Sequence, residues 1–470
     1  MVGNQRQSKR LVASAAAALS LLAAACGSSS SVSKSTATTG AATATTSSGS
    51  SASAPVTISV WTAFNGVLGK AFNRLVTQFN SSQSTYHVVA TYKGSYTQVL
   101  SDTIAAFRAH AAPDITQIFD AGTATIMDAT GTYMPVYKLM AQNHIPFATS
   151  DFVGGAASYY ETSTNKLDSL PFNSSTPVLF YNKTEFAKAG ITVPPKTWQQ
   201  LQTDAATLSS HGQRCALTTS GAYVMWSDME QFAVWNGYPY ASNQNGYTAI
   251  KGVKLLIDTP PFIAHLAMLG QMASKGQYIW NGVSTSTVPL FTNGTCAMYE
   301  QSSADLSTIQ AGAKFPFGVS ELPIVAGDTA APQNTVVGGA SLWVMAGAPA
   351  NTYPGDAKFL AYLMSAAGQA DWASHTGYVP VTPAGSQLLA SQNFYKTHPN
   401  DQVAVSELNN KPPTPNSRGI RLGYLPQIRQ AEASAIAEVL SGKQTASQAL
   451  ATAQKQGDAI LNQFAAQYGG

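Results

Sequence analysis

The chain has 470 residues, which exceeds one typical domain and predicts two or three, and 44% of the residues are hydrophobic, enough for full-sized cores. Its formal net charge is +3 at pH 7, but the first ten residues hold Arg6, Lys9 and Arg10 and no acidic residue. Setting those three aside leaves 23 basic against 23 acidic residues, with no basic cluster. This balance argues against nucleic-acid binding and means that any anion would be captured by a local site, not by a broad positive field.

The N-terminus has the pattern of an export signal. Residues 1–25 combine the basic start with a short apolar run, Leu11–Leu22, that is too short to span a membrane. Small residues before Cys26 resemble a lipobox and predict its lipidation, although Ala23 stands where leucine is usual and leaves a plain secretory cleavage open. Residues 26–54 are then the anchored cysteine and a flexible Ser/Thr/Ala-rich tether, because such a segment cannot bury a core. We therefore expect an exported protein, either a lipoprotein at the outer face of the cell membrane or a periplasmic protein.

Five elements alternate at the start of the folded body. Strands are predicted at 56–61, 86–92 and 114–119 from β-branched and aromatic runs, and helices at 68–79 and 96–107 from apolar residues at helical spacing. An alternation of strand and helix implies parallel pairing and an α/β sheet.

Two polar residues follow these strands. Tyr96 lies near the helix start after the second strand, and Asp120 lies directly after the third. Ligands of open α/β sheets bind beyond the carboxyl ends of strands, so Asp120 is a candidate for binding ligand hydroxyls. Its simpler role on local grounds is a helix N-cap.

An uncharged polar stretch separates two apolar runs further along. Leu170–Phe172 and Val178–Tyr181 each predict a strand end, and residues 173–176 between them predict a loop rich in hydrogen-bonding groups. These groups suit a ligand, or equally a turn stabilised by local side-chain to backbone bonds.

The rest of the chain continues the alternation without a fixed-period repeat. Helices are predicted from a capping box at Thr197–Gln200, over 262–272, and near the C-terminus, where Thr445–Gln448 resembles a second capping box. The paired glycines Gly338–Gly339, ahead of a predicted strand at 340–345, permit a close backbone approach.

Two cysteines, Cys215 and Cys296, lie within the folded body. In an exported protein they could form a disulfide. Two buried, unpaired thiols are the alternative, because the sequence does not give the distance between them.

The sequence offers no positive sign of catalysis. Its seven histidines show no metal-binding spacing, and neither a G-x-S-x-G elbow nor a P-loop occurs. Ser163–Lys166 matches S-x-x-K, but no Lys-Thr-Gly follows. We therefore expect a binding protein, not an enzyme, that uses no cofactor and no metal.

Several runs, in order along residues 56–465, resemble a known family. They include Thr91–Tyr96, Pro171–Pro177, Gly338–Met345, Thr376–Pro380 and Pro426–Arg429. In these runs the chain resembles the extracellular solute-binding proteins of ABC importers, and among them the glycerol-3-phosphate binders. The resemblance implies a two-lobed α/β periplasmic-binding-protein fold (type II-like), each lobe a mainly parallel sheet flanked by helices, with the ligand in the cleft between them. On this basis residues 55–168 and about 317–370 form lobe one, and about 169–316 and 371–470 form lobe two.

The resemblance also implies the ligand-binding residues. They are Tyr96, Asp120, Ser175, Tyr223, Trp226, Ser302, Gly339, Tyr378 and Arg421. Arg421 would grip phosphate oxygens through its bidentate guanidinium, with hydroxyls and a backbone N–H donating to the same oxygens. Tyr96 and Asp120 would bind the glycerol hydroxyls. On the residues alone, a surface salt bridge is the simpler role for Arg421.

Two positions depart from the family pattern. Asp120 stands where Glu is usual, and the stacking tryptophan expected after Ser220–Gly221 is absent, although Trp226 matches a second aromatic of the pocket. Loss of a large ring would widen the pocket. We therefore hypothesise that it admits a phosphodiester such as glycerophosphocholine.

The function implied is extracytoplasmic capture of glycerol-3-phosphate or a glycerophosphodiester and its delivery to an ABC import permease, by a monomer. A sugar or oligosaccharide binder is an alternative, because four aromatic residues could stack on sugar faces: Tyr223, Trp226, Trp235 and Tyr238. A secreted phosphodiester hydrolase is the alternative from another class.

Overall fold

The computed structural model describes residues 54–328 and 330–469. The predicted signal peptide, Cys26 and the tether up to residue 53 lie outside the described residues. Within the described ranges, no helix combines the length and the apolar character needed to cross a bilayer.

The first sheet has six strands. They are β1 (Val56–Thr62), β2 (Tyr86–Tyr92), β3 (Ile115–Phe119), β4 (Tyr133–Met134), β5 (Leu170–Ser175) and β11 (Gly338–Met345). The order is β2-β1-β3-β11-β4, and β5 also pairs with β11. Strand β1 is parallel to both β2 and β3, which confirms the parallel start predicted from the alternation, and β11 is antiparallel to its neighbours.

The second sheet has five strands in the order β10-β6-β9-β7-β8. They are β6 (Pro177–Asn182), β7 (Cys215–Thr219), β8 (Tyr278–Ile279), β9 (Cys296–Ser302) and β10 (Phe317–Ser320). Cys215 and Cys296 are register partners on β7 and β9, with their Cα atoms 4.4 Å apart, and the structure joins them in a disulfide. Of the two alternatives that the sequence leaves open, the structure has the bonded one.

Two of the connections between strands pass from one sheet to the other. The first passage is Thr176, between β5 and β6, and the second is residues 321–337, between β10 and β11. The predicted loop at 173–176 is therefore wrong up to residue 175, since those residues end a buried strand. Two expected lobe boundaries are also corrected: β5 belongs to the first sheet and β10 to the second, the reverse of the division made from sequence.

Helices pack around the sheets. Up to residue 246 they are α1 (Gly66–Ser82), α2 (Tyr96–Arg108), α3 (Thr123–Asp128), α4 (Val136–Gln142), α5 (Gly154–Tyr160), α6 (Lys183–Lys188), α7 (Trp198–Ser210), α8 (Phe232–Asn236) and the short α9 (Ser242–Gly246), whose residues 243–245 have left-handed backbone angles. From residue 260 onwards they are α10 (Pro260–Ser274), α11 (Val288–Thr292), α12 (Leu306–Gly312), α13 (Tyr353–Met364), α14 (Ala366–Ser374), α15 (Pro383–Ser391), α16 (Phe394–Thr397), α17 (Pro399–Leu408), α18 (Leu425–Leu440) and α19 (Ala446–Tyr468).

Local chemistry sets where the helices begin. Ser95 caps α2 through its side chain, so Tyr96 becomes the first helical residue and faces the end of the first sheet. Thr445 forms the predicted capping box. Thr197 is also an N-cap, but the side chain of Gln200 accepts from the residue before the cap and the box is incomplete.

Aromatic packing supports the strand that carries the polar residues. Phe172, on β5, stacks on Trp372 with ring centroids 5.0 Å apart, and both side chains are fully buried. Such contacts contribute about 0.5–1.5 kcal/mol beyond the area that they bury. This packing holds β5 in place at Phe172, directly before Asn173, the first residue of its polar part.

Candidate ligand-binding site

A cavity of about 340 Å³ lies where the two sheets meet. Strand ends and helix starts line it: Tyr96 at the start of α2, Asp120 after β3, Ser175 at the end of β5, Ser302 at the end of β9 and Gly338 at the start of β11. Carboxyl ends of strands are where α/β sheets bind ligands.

A buried guanidinium between two carboxylates forms part of the wall. Arg429, on α18, donates from Nε and Nη2 to Glu230 at 2.6 and 2.8 Å, and from Nη2 to Asp120. Burial acts to lower the pKa of Arg429, but the two carboxylates outweigh it and the pKa is raised well above its ordinary value. Burial raises the pKa of Glu230, opposed by Arg429. The positive charge is therefore fixed in place and largely compensated by its two partners. Asp120 serves in this ion pair and not as the helix N-cap that its position first suggests.

Two pairs of hydroxyls meet in the same cavity. Ser302 Oγ donates to Ser175 Oγ at 2.8 Å, joining β9 to β5. The hydroxyls of Tyr96 and Tyr378 lie 3.4 Å apart. Burial raises the pKa of both tyrosines, so their hydroxyls stay protonated. The site thus offers four neutral hydroxyl groups within a small volume.

The polar middle of β5 bonds to distant parts of the chain. Asn173 donates from Nδ2 to the Tyr96 hydroxyl at 2.9 Å, and its Oδ1 accepts from Gln117 Nε2 at 2.9 Å. Gln117 in turn accepts from the N–H of Ala63 at 2.6 Å. These contacts orient Tyr96 and exclude the alternative in which Asn173 only stabilises a local turn.

Two glycines let the backbone of β11 approach the site. A Cβ on Gly338 would lie 2.4 Å from the ring of Trp226. Gly339 has φ of +100°, and a Cβ there would lie 1.9 Å from the carbonyl oxygen of Asn173. Neither position can accept a side chain without displacing its neighbours.

Aromatic rings and one further carboxylate complete the wall. Tyr223 and Trp226 both line the cavity, and Trp226 opens a π-helical turn, Trp226–Gln231, that also carries Glu230. Tyr223 and Trp226 therefore supply two aromatic rings to the wall of the cavity. Asp305 lines the cavity too, and burial raises its pKa to about 6.

The structure brings together eight of the nine residues implied as ligand-binding, and Arg421 is the exception. Its Nη2 donates to the carbonyl oxygens of Tyr159 and Glu161 at 2.8 and 2.7 Å, and its guanidinium lies 4.0 Å from the ring centroid of Tyr247. It lines a different cavity. The expected place of Arg421 beside the other eight is therefore corrected, and Arg429 is the arginine found there.

Sequence reasoning missed Arg429 and Asp305. A signal for Arg429 exists: it lies on the buried face of α18 at helical spacing from the apolar residues Leu425, Ala433 and Ile436. A charge on the apolar face of a helix indicates a buried partner. No comparable local signal marks Asp305, which ends the short 3-10 turn Ser303–Asp305.

Two of the four aromatic residues considered for sugar stacking lie elsewhere. Trp235 is 1% exposed and donates from Nε1 to the carbonyl oxygen of Leu322 at 3.0 Å. Tyr238 packs against Phe232 with ring centroids 5.9 Å apart. Both have roles in packing, outside the lining of the cavity.

Comparison with known proteins identifies the family. A family model of bacterial extracellular solute-binding proteins matches residues 74–400. The chain belongs to the bacterial extracellular solute-binding proteins. It is 43% identical over 414 residues to the sn-glycerol-3-phosphate-binding periplasmic protein UgpB of Escherichia coli K12, covering 87% of this chain and 94% of that protein. UgpB of Shigella dysenteriae serotype 1 is 42% identical over 417 residues, with the same coverage of 87% and 94%.

Solved structures of solute-binding proteins share the fold. UgpB from Mycobacterium tuberculosis in complex with glycerophosphocholine matches with a TM-score of 0.74 at 21% identity, covering 88% of this chain and 99% of that one. The cyclic α-maltosyl-1,6-maltose binding protein of Arthrobacter globiformis matches with a TM-score of 0.70 at 21% identity, covering 87% and 100%. The predicted two-lobed α/β fold of the solute-binding proteins is confirmed. The expectation of a mainly parallel sheet in each lobe is wrong, because both sheets are mixed: β11 pairs antiparallel with β3, β4 and β5, and β6 pairs antiparallel with β9 and β10.

Proposed function

We propose that this solute-binding protein captures glycerol-3-phosphate or a glycerophosphodiester outside the cytoplasm and delivers it to the permease of an ABC importer. The observation that carries the proposal is a group of neutral hydroxyls beside the Asp120–Arg429 ion pair in one cavity. The choice of ligand is supported by relatives named for glycerol-3-phosphate and by the UgpB structure that contains glycerophosphocholine.

The phosphate binds to the hydroxyls and not to the guanidinium. Ser175, Ser302 and Tyr378 line the cavity with uncharged hydroxyl groups that can donate hydrogen bonds to phosphate oxygens. Arg429 already shares its charge with two carboxylates, and its Nη1 has no acceptor among the described residues. The ion pair instead binds the glycerol hydroxyls, which donate to Asp120 and accept from Nη1.

The remaining wall favours a diester with a cationic head group. A quaternary ammonium over Tyr223 or Trp226 gains about 0.5–2 kcal/mol from the aromatic face, and Asp305 adds an opposite charge. A phosphomonoester instead places a second negative charge in a cavity lined by two acidic residues, Asp120 and Asp305, with Glu230 buried behind Arg429. Glycerophosphocholine is therefore the tighter ligand of the two.

Capture uses closure of two lobes. Contacts from both lobes stabilise the closed form once the ligand is present, and the permease recognises that form. The protein works as a monomer, exported by residues 1–25 and lipid-anchored at Cys26 through the tether, so it diffuses near the permease. It holds its ligand without transforming it.

A thermal-shift panel tests the proposal, because a ligand that binds only the folded form raises the melting temperature. Glycerophosphocholine should give the largest shift, glycerol-3-phosphate a smaller one and maltose none. A shift with maltose and none with either phosphate compound would instead support a sugar binder. Phosphorus NMR of the incubated glycerophosphocholine should show it unchanged, and release of a phosphomonoester would identify a hydrolase.

A further inference from the structure

The two passages between the sheets lie side by side at the cavity. Thr176 forms the first passage, directly after Ser175. The second passage, residues 321–337, leads into Gly338, which is the register partner of Ser175. Any change in the angle between the sheets must therefore act on these two segments, next to two residues that line the cavity.

One buried side chain joins both passages. Glu407, on α17, accepts at Oε2 from Thr176 Oγ1 at 2.9 Å and at Oε1 from the N–H of Leu322 at 2.7 Å. Its backbone carbonyl oxygen also accepts from the N–H of Thr335 at 3.3 Å. Glu407 thus contacts the first passage and both ends of the second. All of these contacts are buried, because Glu407, Thr176 and Thr335 are 0% exposed and Leu322 is 4% exposed.

Burying the Glu407 carboxyl group at this place is unfavourable unless its hydrogen bonds compensate for the loss of hydration. Among residues 54–328 and 330–469, no basic side chain forms an ion pair with Glu407. Burial raises its pKa well above the ordinary value, opposed by the Leu322 and Thr176 hydrogen bonds. The hydrogen bonds from Thr176 and Leu322 are the ones that compensate for the lost hydration here.

A backbone hydrogen bond of Thr176 lies next to the two serines whose hydroxyls line the cavity. The carbonyl oxygen of Thr176 accepts from the N–H of Ser303 at 2.8 Å. The chain neighbours of those two residues, Ser175 and Ser302, are the serines whose hydroxyls lie 2.8 Å apart. Fixing Thr176 therefore fixes the distance between the serines that come from different sheets.

We infer that Glu407 is a positioning residue that clamps both passages and so orders the Ser175–Ser302 pair before a ligand arrives. A site ordered in advance loses less freedom on binding and binds more tightly. The effect on affinity rests on the proposed function, whereas the effect on the passages does not.

Hydrogen exchange in the ligand-free protein tests the clamp directly. Three variants are compared with the wild type. Glu407→Leu loses both side-chain hydrogen bonds, and Thr176→Val loses one of them with little change of shape. Glu407→Gln keeps an acceptor for the Leu322 N–H and offers a donor to the Thr176 hydroxyl. Thr103→Val is the matched control, because Thr103 makes an equally buried hydroxyl contact with Thr116 at 2.8 Å, within the first sheet and its helix and remote from both passages in sequence.

The amides of residues 174–176, 303, 322, 324–328, 330–331 and 333–337 should exchange at least tenfold faster in Glu407→Leu and several-fold faster in Thr176→Val. They should stay within about twofold of wild type in Glu407→Gln and Thr103→Val. Unchanged exchange of these amides in both Glu407→Leu and Thr176→Val, or an equal rise over the whole chain in Thr176→Val, would overturn the inference.

Calorimetric titration with glycerophosphocholine then measures the affinity. The dissociation constant should rise about tenfold in Glu407→Leu, the equivalent of one to two hydrogen bonds, and stay unchanged in Thr103→Val. Binding in Thr176→Val equal to that of wild type would contradict the positioning role. If the wild type itself binds neither glycerophosphocholine nor glycerol-3-phosphate, the proposed function fails, and the exchange result still decides on the clamp.

Discussion

Replacing Arg429 or Arg421 with methionine separates the two arginines by function. Arg429 makes three charge-assisted bonds to buried carboxylates and lines the cavity. Removing its guanidinium leaves Asp120 and Glu230 unpaired, which costs about 3–5 kcal/mol of stability. Loss of its bond to a ligand hydroxyl costs about 1.5–3 kcal/mol, roughly 10- to 100-fold in the dissociation constant.

Arg421→Met is the matched comparison. Its two bonds to carbonyl oxygens and its contact with Tyr247 stabilise the fold, so its loss should lower the free energy of unfolding by about 1–3 kcal/mol. It lies outside the ligand cavity, so affinity for glycerophosphocholine should stay within about twofold.

Urea unfolding and calorimetric titration measure the two effects on the same protein samples. Asp120→Asn serves as a second variant if Arg429→Met does not fold, because it keeps the bonds between Arg429 and Glu230 and should weaken binding about tenfold. Equal loss of affinity in Arg421→Met and Arg429→Met, with both folded, would refute the assignment. So would an Asp120→Asn variant that binds like wild type.

Three further outcomes follow from the geometry. Gly339→Ala should destabilise the protein and abolish binding, because its Cβ would meet the Asn173 carbonyl oxygen. The control Gly347→Ala, at φ of +85° in open space, should lower the free energy of unfolding by only about 1–2 kcal/mol through backbone strain. Equal losses in unfolding experiments would count against the close approach at Gly339. Replacing Cys215 and Cys296 with serine should lower the free energy of unfolding by about 2–4 kcal/mol. A reductant should lower the free energy of unfolding of the wild type by a similar amount and leave that of the variant unchanged. Identical wild-type melting curves with and without reductant would show that the disulfide does not form. Affinity for glycerophosphocholine should fall as the pH drops through about 6, because Asp305 is then protonated and no longer attracts the cationic head group. Asp305→Asn should remove this pH dependence. A pH profile unchanged by Asp305→Asn would place the head group elsewhere.

The start of the fold could be predicted from the sequence because its signals are local. Strand β1 alternates, with Ile58, Val60 and Thr62 buried, and α1 buries one apolar face from Ala71 to Phe79. Parallel pairing then follows from the alternation of strand and helix.

The passage between the sheets could not be predicted in the same way. The end of β5 is polar and reads as a loop because its partners are far along the chain: Gln117 is 56 residues from Asn173, and Ser302 is 127 residues from Ser175. A buried polar strand is recognisable only when those partners are known.

The resemblance to a family supplied most of the site and misplaced one residue. Arg421 and Arg429 lie eight positions apart in the C-terminal part of the chain, and a short motif does not distinguish them. The orientation of α18 does, since it turns Arg429 towards Asp120 and Glu230, while Arg421 precedes the helix and bonds to backbone carbonyls.

A crystal structure of the protein with glycerophosphocholine tests the central claim most directly. The phosphate oxygens should lie within hydrogen-bond distance, about 2.5–3.2 Å, of the Ser175, Ser302 and Tyr378 hydroxyls, with a glycerol hydroxyl on Asp120. A phosphate bound to the Arg421 cavity, or a ligand absent from the space between the two sheets, would contradict the account.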